Sequence, residues 1–232
     1  MGLPVNYAGF EFELAKEQLD WSQIPAQRLQ TVHDVLGVPR ENAMQYVEEA
    51  EAIVVEEMSE STSEGFRGVG DPMGRTDRLT LYAAIRSSRP SVVVETGTAA
   101  GASAVYILTA LERNQRGRLI SVDASGEREN VGRLIPDELR NRLQLLSGDS
   151  LVLLPSVTES GTTVDFFVHD SLHTYTHMMA EYEWAYSNAG SRCVLCSHDI
   201  LMTNAWPHFL RRHGIAKAGS VKNLGVCVIE KT

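Results

Sequence analysis

Five short segments of this chain place glycine, carboxylate, hydroxyl and imidazole groups where they could do chemistry. The first is Glu95-Thr-Gly97-Thr98-Ala-Ala-Gly101-Ala-Ser103. Its glycines let the backbone turn tightly and approach a ligand, and amides that open a helix attract negative charge. Ala99 stands where a dinucleotide-binding G-x-G-x-x-G turn needs its second glycine, which disfavours a nicotinamide enzyme. Asp123 comes next; a carboxylate there could accept from both hydroxyls of a ribose, or could cap a helix. Gly148-Asp149-Ser150 could read an adenine amino group, with helix capping by Asp149 the alternative. His169-Asp170-Ser-Leu-His173-Thr-Tyr175 sets an acid near an imidazole, a pairing suited to general base work near neutral pH. His173 would be the base and Asp170 its orienting group. Ser197-His198-Asp199 adds a second imidazole and carboxylate. Asp170, His198 and Asp199 could hold Mg2+, Mn2+ or Fe2+ with open positions, although His198 weighs against Mg2+.

These segments follow apolar, β-branched runs. Residues 91–95, 118–123, 143–146, 164–168 and 193–196 read as strands, with two more near 215–222 and 225–230. An apolar helix over about 102–111 joins the first two, and a polar helix is expected after the second. Another helix begins at His173, with Tyr175, Met178, Met179, Tyr182 and Tyr186 on an apolar face. Strands alternating with helices imply right-handed crossovers and a largely parallel sheet covered on both faces. The closing strand pair suggests an antiparallel hairpin at one edge. The five segments then share the C-terminal ends of the strands, where open α/β sheets bind ligands.

Upstream, Leu29, Val32, Val35 and Leu36 recur at helical spacing with Gly37 as the stop. After Pro39, the residues Ala43, Val47, Ala50 and Val54 keep a helical period. Glu48, Glu49, Glu51, Glu56 and Glu57 should then face solvent. Residues 59–71 are rich in Ser, Glu and Gly and read as an exposed loop, a linker or a lid. The organisation is a helical extension over 1–60 that serves as lid or dimer contact, a loop over 61–75, and a core over 76–232.

The chain has 232 residues, with 21 Lys plus Arg against 30 Asp plus Glu and a formal charge of −9. That excess of acid offers no electrostatic footprint for nucleic acid or an anionic membrane. No run approaches the roughly 18–20 apolar residues a membrane span needs, and Met1 to Leu14 shows no signal-peptide pattern. A cytoplasmic location is expected. Cys193 and Cys196 form a C-x-x-C, but on a strand their thiols point to opposite faces, so they read as core residues.

Taken together, from Gly70 to the C-terminus, the segments resemble the class I S-adenosylmethionine-dependent O-methyltransferases. The nearest likeness is to the catechol O-methyltransferase-like and cephalosporin-hydroxylase-like branch, carried by Val69-Gly70-Asp71, Glu95-Thr-Gly97 and Ala102-Ser103-Ala-Val. The resemblance implies an α/β Rossmann-like fold, its seven-stranded sheet mostly parallel with the last strand antiparallel. It implies a cofactor site of Glu95, Gly97, Thr98, Gly101, Ser103, Asp123, Ala124, Asp149, Ser150 and Asp170. In metal-dependent relatives the residues at Asp170, His198 and Asp199 hold a divalent ion, and His198 departs from the family's oxygen ligand. His173 stands where catechol-type enzymes carry a lysine base. Activity on a small-molecule hydroxyl follows, with natural-product biosynthesis suggested by the branch. Trp184, Trp206 and Tyr175 are candidates to line the acceptor site, or packing residues. The alternatives are a hydroxylase-associated or cyclisation-promoting cofactor-binding protein, and a non-catalytic cofactor-binding partner; a homo-oligomer is open.

Overall fold

The computed structural model describes residues 32–61, 73–125, 130–159, 161–221 and 223–231, together with 6–7 and 10–11, which pair antiparallel. Leu29 and most of the 61–75 loop lie outside the described residues, as do the side chains of Val54, Glu56 and Glu57.

The helices are α1 (Val32–Leu36), α2 (Arg40–Ser61), α3 (Arg75–Ser88), α4 (Ala102–Asn114), α5 (Ser150–Thr158), α6 (Tyr175–Asn188) and α7 (Ala205–Arg212). The strands of the main sheet are β1 (Val92–Thr96), β2 (Arg118–Asp123), β3 (Leu143–Ser147), β4 (Val164–His169), β5 (Ala189–Ser197), β6 (Ala218–Val221) and β7 (Leu224–Glu230). Their order is β3-β2-β1-β4-β5-β7-β6. Neighbours among β1 to β5 pair in parallel, while β7 runs antiparallel to both β5 and β6. This is the expected seven-stranded sheet.

The central strands are unbroken apolar runs because both faces are covered. Val93, Phe166, Val168, Val194 and Cys196 meet α1, α3 and α4 on one side. Val94, Phe167, Cys193 and Leu195 meet α5, α6 and α7 on the other. Burying one such side chain is worth about 1.5–3 kcal/mol. Because side chains alternate along a strand, a one-residue slip would exchange the two faces of a whole strand, which fixes the register. Cys193 and Cys196 accordingly sit in different layers, both buried as free thiols.

Two expectations need correction. Among the described residues no polar α-helix follows β2; the chain forms turns near Gly132 (φ +68°), then Pro136 and a 3-10 helix, Asp137–Arg142. The left-handed glycine and the proline break helical continuity there. Glu49 also turns away from solvent: α2 packs on α3, and Glu49 Oε2 accepts from Arg86 Nε at 3.0 Å. Arg86 in turn lies 4.8 Å from the Tyr46 ring centroid.

The strand order reverses between β1 and β4, opening a crevice at their C-terminal ends. Among the described residues no helix is long and apolar enough to cross a membrane.

Candidate cofactor and acceptor site

After β1 the chain turns through Gly97 (φ +87°), Ala99 (φ +46°) and Gly101 (φ +95°) into α4. Gly97 is required by more than its dihedral angle. A Cβ there would lie 2.0 Å from the carbonyl oxygen of Asp170. The turn after β1 and the segment after β4 therefore pack directly against each other.

Asp123, at the β2 tip, clamps this turn. Its Oδ2 accepts from the Ala99 N–H and its Oδ1 from the Ser125 N–H, both at 2.7 Å. A carboxylate has about four acceptor sites, so capacity remains for further donors. Ala124 is exposed beside it. Glu95 is sealed beneath the turn. The hydroxyls of Ser103 and Ser121 donate to its two oxygens at 2.6 Å, and Thr98 Oγ1 lies 2.6 Å from Ser121 Oγ. Burial pushes the Glu95 carboxyl up to about 7, against the pull of those two hydroxyls. Glu95, Thr98 and Ser103 thus brace the turn from within.

At the β3 tip Asp149 is exposed and caps α5, accepting from the Leu151 N–H at 2.8 Å. Ser150 points inward, its hydroxyl donating to Glu181 and lying 3.1 Å from His177 Nε2.

The acids and imidazoles converge at the tips of β4 and β5. Asp170 is anchored by its N–H to the Thr96 carbonyl at 2.9 Å, and His198 likewise to the His169 carbonyl. His198 Nδ1 lies 3.0 Å from Asp170 Oδ1 and 3.6 Å from Asp199 Oδ2. His173 Nε2 lies 3.5 Å from Asp170 Oδ1 and 3.7 Å from Asp199 Oδ2, and has no hydrogen-bond partner. His173 precedes α6 instead of opening it: Thr174 is the cap. For Asp170, burial favours the neutral acid, but the imidazoles of His173 and His198 set against it hold it below the usual carboxylate range. For His198, burial opposes the charge, yet Asp170, Asp77 and Asp199 push it up to about 10.

Asp77 was not among the sequence candidates. It sits on α3, 4% exposed, with Oδ2 3.6 Å from His198 Nε2 and Oδ1 buried without a partner. Its signal was present: Asp77 shares a helical stripe with Leu81, Ala84 and Ile85, all buried.

This donor set fits a divalent ion. Ligands at about 2.1 Å from an ion stand about 3.0–3.4 Å apart for right-angle or tetrahedral arrangements. Of the four nitrogen–oxygen separations here, one is 3.0 Å and the others, 3.5, 3.6 and 3.7 Å, exceed that range by a few tenths of an ångström that side-chain rotation can close. Donor atoms of Asp170, His173 and His198 all lie within 4.8 Å of one another, a group that has His173 where the expected set has Asp199.

The aromatic candidates divide differently. Trp206 is 2% exposed and packs so closely on Gly225 that a Cβ there would lie 2.6 Å away. Trp184 is partly buried, 5.8 Å from Phe167. Both are packing residues. Tyr175 is exposed, off the apolar face expected for it, with its hydroxyl 3.1 Å from His208 Nδ1.

Residues 94–200 match a family model described as a methyltransferase domain. No curated protein matches the sequence. Solved structures do. An O-methyltransferase from Bacillus cereus in complex with SAH has a TM-score of 0.54 at 17% identity, covering 88% of this chain and 96% of that one. The O-methyltransferase TomG from Streptomyces achromogenes, involved in tomaymycin synthesis and crystallised with SAM, has a TM-score of 0.57 at 15% identity, covering 81% and 90%. A SAH-bound methyltransferase from Podospora anserina has a TM-score of 0.59 at 11% identity, covering 83% and 97%. At such identities the likeness shows the fold. The chain therefore has the class I methyltransferase fold, and within it residues 94–200 are similar to the methyltransferase-domain model.

Proposed function

We propose that this chain transfers the methyl group of S-adenosylmethionine to a hydroxyl oxygen of a small molecule. The observation that carries the reading is the contact between Gly97 and the Asp170 carbonyl. It sets the turn that would hold the cofactor directly against the acid–imidazole cluster that would prepare the acceptor. The relatives of this fold crystallised with SAM or SAH support the choice of cofactor.

When bound, the cofactor supplies an electrophilic methyl on a sulfonium. The chain's own work is then orientation and proton removal. Asp123 accepts from the ribose hydroxyls with its remaining lone pairs. Asp149, at the β3 tip, would lie near the adenine. His173 Nε2, buried without a hydrogen-bond partner, takes the acceptor's proton, and Asp170 and Asp199 stabilise the resulting imidazolium. Asp170, His198 and Asp199 would hold a divalent ion, which when bound would acidify a coordinated hydroxyl. The branch and the resemblance to TomG support a role in natural-product tailoring.

Calorimetric titration with S-adenosylmethionine tests the reading, on wild type and on Asp123→Ala, with Mg2+, with Mn2+ and with a chelator. Micromolar binding is expected in wild type and at least tenfold weaker binding in the variant. A folded wild-type protein that does not bind would refute the reading. His173→Ala is expected to lower formation of S-adenosylhomocysteine about 100-fold or more with cofactor affinity intact, as for loss of a general base.

A further inference from the structure

Glu181 lies on the inner face of α6 with no solvent exposure, and the chemistry above does not use it. Its two oxygens meet donors from several separate elements. Oε2 accepts from Thr96 Oγ1 at the β1 tip and from His169 Nδ1 at the β4 tip, each at 2.6 Å. Oε1 accepts from Ser171 Oγ at 2.8 Å, from His177 Nε2 at 2.9 Å, and from Ser150 Oγ at the start of α5. A carboxylate this deep is tolerated only when its lone pairs are filled. Burial works to raise it, but the charge and hydrogen bond of His169, with His177 and Ser150, hold it far below the usual carboxylate range. Fully engaged and sealed from solvent, it is beyond the reach of any ligand.

Its importance lies in what it ties together. Ser171 falls between Asp170 and His173 in a stretch without helix or strand. A stretch of that kind takes its geometry from its anchors. One is the Asp170 N–H on the Thr96 carbonyl, and another is the Ser171 hydroxyl on Glu181. Thr96, which holds the first, is itself bonded to Glu181.

We propose that Glu181 is the positioning residue of this site: its carboxylate ties the segment carrying Asp170 and His173 to the tips of β1 and β4 and to the start of α5, so the acceptor side and the cofactor turn keep one geometry. It touches neither reactant and acts through Ser171, Thr96 and His169. Its meaning rests on the methyl-transfer reading, but its geometry is testable without turnover.

Amide hydrogen exchange on the full chain makes the test, for wild type, E181Q, S171A, S171T and the double variant E181Q/S171A, each with and without S-adenosylhomocysteine. Glutamine keeps the shape but offers one acceptor oxygen in place of two. Residues 170–174 are expected to exchange about tenfold faster or more in E181Q and in S171A, as for loss of a hydrogen bond to a charged group. S171T keeps the hydroxyl and should exchange as wild type. The double variant should be no looser there than E181Q alone, because both changes remove the same tie. In S171A the sheet amides should stay at wild-type rates, which separates positioning from support of the fold. Wild-type exchange over 170–174 in S171A would overturn the proposal, and so would E181Q loosening the whole sheet while S171A does nothing. Calorimetry on the same samples keeps the two readings apart. If none of the proteins binds S-adenosylhomocysteine, the methyl-transfer reading fails while the exchange result stands.

Discussion

Replacing Glu95 by glutamine is expected to stabilise the protein at pH 8 and to change it little at pH 5. Glu95 has no exposed surface, and burial is the largest influence on its carboxyl, raised from 4.5 to about 7. The folded state thus binds this proton more tightly than the unfolded chain does. The stabilisation is complete below about pH 4.5, declines as the pH rises, and is lost once the pH passes through about 7. That displacement corresponds to about 3 kcal/mol at ~1.4 kcal/mol per tenfold change. Glutamine fills the same space, and the hydroxyls of Ser103 and Ser121 can rotate to donate to its oxygen and accept from its amide. Urea unfolding followed by circular dichroism at several pH values gives the answer as the difference between variant and wild type. That difference should grow by about 2–3 kcal/mol between pH 5 and pH 8 in favour of the variant. Parallel pH curves for the two proteins would refute the reasoning, because they would mean that Glu95 titrates alike in both states.

Two further outcomes follow from packing. Gly97→Ala combines a left-handed φ of +87° with a Cβ 2.0 Å from the Asp170 carbonyl; it should cost about 1–3 kcal/mol in thermal or urea unfolding and abolish cofactor binding in calorimetry. Cys193, Cys196 and Cys227 are buried free thiols, and burial pushes Cys193 up to about 12. All three should resist a chromogenic disulfide reagent in the native protein and react together in denaturant, and rapid labelling of the native protein would contradict the packing.

Periodicity and punctuation carried most of the fold. The runs at 118–123 and 164–168 became β2 and β4 with little change, because a strand covered on both faces must be apolar along its length. The polar helix expected after Asp123 failed because Gly132 and Pro136 outweigh local helical character. Asp170, His173, His198 and Asp199 were readable in the sequence because they follow strand ends, and the structure brings all four together. Asp77 and Glu181 were missed for a shared reason. Each is a single acid on the apolar stripe of a helix, Asp77 with Leu81 and Ile85, Glu181 with Met178 and Ala185. A search keyed to strand ends passes over such residues, whereas one that flags charge on a buried stripe finds both. Spacing gives only the i,i+4 pair of His177 and Glu181; the partners His198 for Asp77 and Thr96 for Glu181 are distant in the chain and could not be inferred from it.

The contact between Gly97 and Asp170 also bears on how a lineage carrying this chain could diversify. No side chain can grow at Gly97 without displacing the Asp170 backbone, so the turn after β1 and the segment after β4 can only change together. Leu201, Met202 and Tyr175 are 47%, 44% and 40% exposed and follow closely in sequence on Asp199 and His173. Substitutions at those three positions meet little packing resistance. On the methyl-transfer reading proposed above, variation at such exposed positions would leave the packing of the two loops, and with it the path of a transferred group, unchanged.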